Sequence, residues 1–538
     1  MKRLEEARKQ GQVAQSREVN NWIILAAGAY VVLVLGPGMM EQFKDLFTAF
    51  IERPHALSLS PYGIDNVFLS LFMETGRILA LPTIILVLAA IAAPLVQVGP
   101  LFTAETLKPK LSKISPLAGA KRLFSARSVV EFLKSILKMV IIGGGQAAGQ
   151  AVASLRQEGF DGKIVLIGEE STLPYQRPPL SKAYLSGAVT AEKLLVRPEK
   201  FYADRDVEVH LGASVTAIDP DQKTVTTADS TFDFDKLLIA TGSTPRKLSI
   251  PGSDLNGIHY LRTVADVDAI RAQMKNAKRL CIVGGGYIGL EVASVAVSAG
   301  LSVDVLEMEA RILQRVTTPF MSAFYHQLHE SRGVKIHTET GCSGFRGTDQ
   351  SVTHVQCGDA EIEADLVIVG IGIMPNIQLA LDAGIACDNG ITVDDHCQTS
   401  HPDIYAAGDC TNHPNPILGR RLRLESVPNA MDQARTSAAN MLGGDKTYAA
   451  VPWFWSDQYE LKLQMLGFSA DADAAVLRGD PETLQFAQFY LFDGKIVAVD
   501  AVNSPKEFMV AKQLFGHSVA AHDLANPEVD LKSLLPSV

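Results

Sequence analysis

The sequence predicts an α/β fold: two Rossmann-like nucleotide-binding domains and a C-terminal α+β domain, preceded by an all-α segment with two candidate transmembrane helices. Three observations carry this. Glycine-rich turns of G-x-G-x-x-G/A spacing follow apolar strands twice, at Gly143 and at Gly284. The block after Val451 is strand-rich to about Val502 and helical beyond it. Two long uncharged stretches, Val19 to Met40 and Ile78 to Ala104, stand near the start.

A chain of 538 residues has room for three or four domains and ample core. Its net charge of −10 is unevenly spread: residues 1–139 hold 16 Lys/Arg against 10 Asp/Glu, the remainder 33 against 49. The acidic part is a poor binder of nucleic acid, which needs a basic face. The six cysteines lie far apart with no C-x-x-C pair, so no metal site is expected and a reduced, cytoplasmic compartment is.

Each uncharged stretch is long enough to cross roughly 30 Å of hydrocarbon as a helix, giving spans at about 19–40 and 78–99. Pro82 and Pro94 do not exclude the second. The stretch between them, 41–77, carries Lys44, Arg53 and Arg77 against five acids. A basic run follows the second: Lys108, Lys110, Lys113, Lys121, Arg122, Arg127, Lys134 and Lys138. Both ends are therefore expected in the cytoplasm and the stretch between outside. A cleaved signal peptide fits less well, because the basic leader contains acids and no small-x-small site follows it.

Two groups of residues carry a resemblance here. The first is Lys2-Arg3-Leu4-Glu5-Glu6-Ala7-Arg8 with Gly11-Gln12-Val13-Ala14. The second is Pro109-Lys110-Leu111-Ser112-Lys113-Ile114-Ser115-Pro116 with Gly119 and Lys121-Arg122-Leu123-Phe124-Ser125. About a quarter of the chain resembles the N-terminal half of the FlhB family of flagellar and type III export proteins. That family continues with two more spans and a self-cleaving Asn-Pro-Thr-His sequence, which this chain lacks. Ser128 to Lys138 then has apolar residues at helical spacing and runs into the next strand without a linker, an abrupt join at about 139.

Val140-Ile-Ile-Gly143-Gly-Gly145-Gln-Ala-Ala148 opens the soluble part. Gly143 allows the tight strand-to-helix turn, Gly145 lets a pyrophosphate approach the backbone, and the small Ala148 lets helix pack on strand. The next strand, Lys163 to Ile167, ends at Glu169, placed for a ribose hydroxyl. The prolines of Pro174-Tyr175-Gln176-Arg177-Pro178-Pro179-Leu180-Ser181-Lys182 stiffen an extended segment and fix where Arg177 and Lys182 point. A strand over 236–242 ends in the tight crossing Ala240-Thr241-Gly242.

The second fingerprint, Cys281-Ile-Val-Gly284-Gly-Gly286-Tyr-Ile288-Gly289-Leu-Glu291, has the full form. Glu307, at the end of the following strand, favours a free 2′-hydroxyl and so NADH over NADPH, a preference that Arg311 and Arg315 weaken. Asp409, at the end of Tyr405-Ala406-Ala407-Gly408-Asp409, can accept hydrogen bonds from a ribityl chain. The last block opens Pro452-Trp453-Phe454-Trp455-Ser456-Asp457-Gln458.

With these motifs, residues 139–538 resemble the NADH-dependent ferredoxin reductases of the putidaredoxin and rhodocoxin reductase type. The resemblance implies an FAD domain (139–252 and 373–450), an NAD domain (253–372) and a C-terminal reductase domain (451–538). It implies that Ala147, Glu169, Lys182, Val215, Arg262, Asp409 and Val427 line FAD. Lys182 would stand near the flavin N5 paired with Glu291, and Trp455 near the nicotinamide face. Electrons would pass from NADH through FAD to a [2Fe-2S] ferredoxin or a rubredoxin. An ammonium there favours charge arriving on the flavin, and Glu291 compensates it.

A disulfide reductase would need a cysteine pair after the first helix, and a single-cysteine relative would need one where Ser181-Lys182 stands; neither is present. Another electron acceptor stays open, as does a membrane export or scaffold role resting on residues 1–138. The expected location is a cytoplasmic flavoenzyme domain anchored to the inner membrane by its N-terminal segment.

Overall fold

The computed structural model describes residues 26–52, 61–98 and 137–535, and the chain divides into two compact units, Met1–Ser128 and Val129–Val538. In the first, residues 26–52 are helical, with a π-helical turn at Val31–Leu35 leading into the α-helix Gly36–Glu52. The helix Pro61–Val98 runs for 38 residues, about 57 Å. Its stretch Leu71–Ala90 has a mean hydropathy of 1.8 and, among the described residues, is the one helix long and apolar enough to cross a membrane.

Three expectations change here. The apolar helical stretch begins at Leu71, not at 78, because a helix absorbs Glu74 and Arg77 one turn apart. Of the first expected span, residues 26–40 are helical and 19–25 lie outside the described residues, so two membrane-length helices are not found among those described. The stretch 41–77, expected as a connection, is helical up to Glu52 and again from Pro61. No Gly or Pro follows Gly38 in the first of these helices to stop it.

The expected helix from Ser128 to Lys138 falls mostly outside the described residues. Lys138 itself is strand: it pairs with Lys163, and its N–H bonds Asp235 at 2.8 Å. The central pairing of that strand captures its first residue.

The second unit is organised around three five-stranded sheets. The first is parallel, in the order Ile404–Ala406, Lys236–Ile239, Lys138–Ile142, Lys163–Gly168, Val207–Leu211. Met139 and Ile141 face the helices Gln146–Gln157 and Val427–Met441. Val140 and Ile142 face a second cluster that includes Ile218, Val225 and Phe234 of an antiparallel meander. Burial on both faces is why this strand reads as unbroken apolar sequence.

The second sheet repeats the plan: Val334–His337, Ser302–Leu306, Arg279–Val283, Leu366–Val369, Ile258–Tyr260, all parallel, with its own meander over residues 344–363. The chain leaves the first sheet after Ile239 and returns at Ile404, through an antiparallel ribbon of Ser243–Pro245 with Ile373–Pro375.

The third sheet is antiparallel, in the order Trp453–Gln458, Leu461–Gly467, Lys495–Val502, Gln485–Phe492, Ala474–Asp480. One face packs on the helix Pro505–Leu514 through Phe508, Ala511 and Leu514. The other packs through Leu461, Leu463 and Met465 on Leu290 and Tyr325 of the second sheet's helices. That contact lays Trp453–Gln458 beside the helix Tyr287–Ser298 and so assembles the site.

Candidate functional site

At the end of Lys138–Ile142 the backbone turns at Gly143, whose φ is +140°. A Cβ there would lie 2.2 Å from the Ala240 carbonyl oxygen, so only glycine fits. Ala240 donates to the Ile142 carbonyl at 2.8 Å, which places Ala240, Thr241 and Gly242 beside the turn. Gly145 is the N-cap of Gln146–Gln157 with no side-chain cap, and a Cβ at Gly144 or Gly145 would meet nothing within 4 Å. Ala148 is fully buried, but the tightest packing falls on Gly149, whose Cβ would lie 2.9 Å from that of Pro174. Sequence reasoning missed Gly149; the G-x-G-x-x-x-G register of the same segment was the available signal.

Asp409 lies near this turn. Its Oδ2 accepts from Ser243 Oγ and from Arg262 Nη2, both at 3.0 Å. Gly408, at φ +92°, brings the chain over Ala147, with a Cβ position 3.4 Å from that side chain. Thr241 and Asn376 exchange bonds of 2.7 and 3.0 Å, tying the strand end to the ribbon. Val427 opens the helix capped by Ser426. Val215 is half-buried at the start of its meander strand.

Glu169 directly follows its strand and is exposed to solvent, while its neighbour Glu170 takes the partners. Glu170 accepts from Tyr175 at 2.5 Å and from Arg177 at 2.6 Å, and Arg177 also bonds the Arg262 carbonyl at 2.6 Å. Burial raises the Tyr175 hydroxyl above its ordinary range. The guanidinium of Arg177, a residue expected among those that bind the cofactor, bonds Glu170, Tyr175 and the Arg262 carbonyl, and so braces Arg262. The Tyr-x-Arg spacing five residues after an acid was the signal for this network.

The second turn copies the first. Gly284 has φ +113°, with a Cβ position 2.4 Å from the Gly370 carbonyl oxygen. Gly286 caps Tyr287–Ser298 without a side-chain bond and with open space above it. A Cβ at Gly289 would strike the Gly284 carbonyl oxygen at 2.3 Å. Ile288 is 46% exposed beside the opening. Glu307 accepts from the backbone N–H of Gly285 and of Glu309, both at 2.9 Å, and is thereby fixed under the turn.

Between the two turns, Lys182 Nζ lies 2.7 Å from Glu291 Oε2, with the side chains 16% and 4% exposed. The short turn Pro178–Ser181 delivers Lys182, and the helix Tyr287–Ser298 delivers Glu291. Glu291 also accepts from Ser181 Oγ at 2.5 Å and from Ser456 Oγ at 2.6 Å. Neither serine was expected. Alternation in Trp453–Gln458 puts Ser456 and Gln458 on one face, both 1% exposed, and that polar pair in a buried position was the signal. Trp455 lies on the opposite face, half-buried, its ring centroid 5.7 Å from that of Trp453.

The arrangement fits two dinucleotides. Each glycine turn opens on an uncapped helix N-terminus, which draws phosphate. Each also has a buried arginine N–H lacking a protein partner among the described residues: Arg262 Nε near the first turn and Arg311 Nη1 near the second. Asp394, Asp395 and His396 bring ligand atoms within 4.8 Å of one another, but both ring nitrogens of His396 are taken by Asp395 and Asp445.

Comparison with known proteins agrees with this geometry. The family described as Pyridine nucleotide-disulphide oxidoreductase matches residues 137–434, and that described as Reductase C-terminal matches 453–535. The FlhB HrpN YscU SpaS Family matches residues 1–151. The chain is 44% identical to the 5,5′-dehydrodivanillate O-demethylase ferredoxin reductase subunit of Sphingobium sp., over 73% of this chain and 97% of the relative. It is 43% identical to putidaredoxin reductase CamA of Pseudomonas putida, over 74% and 96%. A solved covalent putidaredoxin reductase–putidaredoxin complex superposes with a TM-score of 0.72 at 43% identity, covering 74% of this chain and 98% of that one. The chain belongs to the pyridine nucleotide-disulphide oxidoreductase family.

Proposed function

We propose that this protein is an FAD-dependent NADH:ferredoxin reductase. The observation that carries the reading is the Lys182–Glu291 pair, which ties the segment after the first glycine turn to the helix of the second. Residues 139–252 and 373–450 would form the FAD domain, 253–372 the NAD domain and 451–538 the C-terminal domain.

FAD, when bound, supplies the ability to take two electrons from a nicotinamide and release them singly. The chain's own residues bind and tune it. Gly143, Gly145 and the helix N-terminus behind them hold pyrophosphate, with Ala147 and Ala148 packed beneath. Glu169 takes a ribose hydroxyl. Arg262, Asp409, Val215, Val427 and the 240–242 crossing line the remainder, and Arg177 positions Arg262. Gly284, Gly286, Ile288, Gly289 and Glu307 hold NADH. Lys182 provides a positive charge where negative charge develops, Glu291 holds and orients that lysine, and Trp455 helps exclude water.

The acceptor follows from the relatives, which are named as reductases of ferredoxin-type proteins. A one-electron iron–sulfur ferredoxin is the partner of choice. A cysteine-relay mechanism has no residues here, since no cysteine precedes Cys281. The apolar stretch Leu71–Ala90 supports a membrane anchor for the reductase. An export role has only the similarity over residues 1–151 in its support.

The test is anaerobic mixing of the purified full-length protein with NADH and a [2Fe-2S] ferredoxin. A yellow protein whose flavin band bleaches with NADH and recovers as the ferredoxin is reduced supports the reading. A colourless protein, or one that NADH leaves unbleached, contradicts it.

A further inference from the structure

We propose that a hydrogen-bonded chain, Tyr459–His329–Gln458–Ser456, fixes the Glu291 carboxylate for Lys182, making Ser456, Gln458 and His329 positioning residues of the site. The inference rests on the roles given to Lys182 and Glu291 above. Glu291 is 3% exposed, and its Oε1 is held by Ser456 Oγ at 2.6 Å. Gln458 Nε2 donates to Ser456 Oγ at 3.2 Å, and Gln458 Oε1 faces His329 Nε2 at 2.8 Å. His329 Nδ1 in turn faces the Tyr459 hydroxyl at 3.0 Å.

The chemistry of these groups gives the chain one direction. A carboxamide oxygen only accepts, so His329 Nε2 carries a proton. Burial pushes the His329 imidazole down to about 4, so at neutral pH Nδ1 keeps a lone pair and accepts from Tyr459. Ser456 already accepts from Gln458 and therefore gives its own proton to Glu291. Every link donates toward the carboxylate, and bonds aligned in this way strengthen one another.

The outer end is anchored. Tyr459 sits in the left-handed region, φ +54°, at the turn between Trp453–Gln458 and Leu461–Gly467. Arg332 lies 5.1 Å from its ring centroid and pairs with Glu460. The chain runs beside the apolar contact of Leu290, Leu461, Leu463 and Phe486. Apolar packing there would hold the sheet to the helix equally well. A buried polar chain aimed at one carboxylate is explained by the carboxylate.

The test uses full-length protein with bound flavin and stopped-flow reduction across NADH concentrations. Ser456→Ala is expected to lower the limiting reduction rate about tenfold, with the NADH Kd within about twofold of wild type. Ser456→Thr keeps the hydroxyl and is expected to restore most of the rate. His329→Leu, two links away, is expected to act in the same direction by about threefold. Should Ser456→Ala lose its flavin, Ser456→Cys, similar in size but a weak donor, takes its place with the same expected direction. Folded variants that reduce at the wild-type rate overturn the inference. A wild-type protein that NADH does not bleach overturns the proposed function instead, so the two failures are distinct.

Discussion

Lys182 Nζ and Glu291 Oε2 stand 2.7 Å apart although 109 positions separate them in the sequence. The pair is almost closed to water, so its Coulomb attraction is weakly screened and each partner is costly to leave alone. It joins the two glycine turns electrostatically, where charge would move between two bound nucleotides.

Replacing the turn glycines is expected to remove the first nucleotide. Gly143→Ala places a Cβ 2.2 Å from a carbonyl oxygen at a φ of +140°. The backbone strain alone costs about 1–3 kcal/mol. The variant should purify with little flavin and a lowered Tm, measured by absorbance and thermal unfolding. A variant with full flavin content would contradict the assignment of this turn.

Cofactor preference follows from Glu307, fixed under the second turn by two backbone N–H groups. A carboxylate there repels a 2′-phosphate, and NADH is expected to be preferred over NADPH at least tenfold, about 1.4 kcal/mol. Glu307→Ser should narrow the gap. Equal kcat/KM values for the two nucleotides in the wild-type protein would sink the idea.

Much of this was legible in sequence, for physical reasons particular to certain residues. Gly143 and Gly284 are required by carbonyls of Ala240 and Gly370, far off in sequence, but each belongs to a short glycine pattern between a strand and a helix, and that local spacing reveals them. The Lys182–Glu291 pair was expected from the family resemblance, which the segments around both residues carry. Ser456 was not: its role depends on the C-terminal sheet packing on a helix 165 positions earlier, and a single serine in a strand carries no mark of that. Glu170 was missed because strand-end position alone does not mark which of two adjacent acids bonds Tyr175 and Arg177. The membrane-length helix was displaced to Leu71 because absence of charge is a stricter rule than a helix obeys.

Stability should depend on pH through Asp500. It is buried in the C-terminal sheet, accepts from Thr317 at 2.7 Å and Tyr490 at 2.8 Å, and burial raises its carboxyl to about 6. The folded state thus holds the proton more tightly than the unfolded chain, whose value is the ordinary 3.8. The stabilisation is full below about pH 4 and is lost as pH rises through about 6, a change of about 3 kcal/mol. Asp500→Asn cannot ionise, so its Tm relative to wild type should climb from pH 4 to pH 7. A constant difference would show that Asp500 does not titrate in this range.

If Leu71–Ala90 crosses a bilayer, the full chain should sediment with membranes and need detergent for release. The basic residues from Lys108 to Lys138 would then place the flavin domain on the cytoplasmic side. Protease added outside sealed spheroplasts should then leave residues 139–538 intact. Release by salt alone, or digestion of that region from outside, would rule out the anchor.

The most direct measurement is the limiting rate of flavin reduction by NADH in Lys182→Met, followed by anaerobic stopped flow. If Lys182 meets charge that appears only as electrons arrive, its loss removes transition-state rather than ground-state binding. The rate is expected to fall some 30- to 1000-fold, about 2–4 kcal/mol, with the NADH Kd nearly unchanged. Glu291→Gln should slow the same step less, because the lysine stays but is poorly held. A flavin-loaded Lys182→Met protein that reduces as fast as wild type would contradict the role given to this pair.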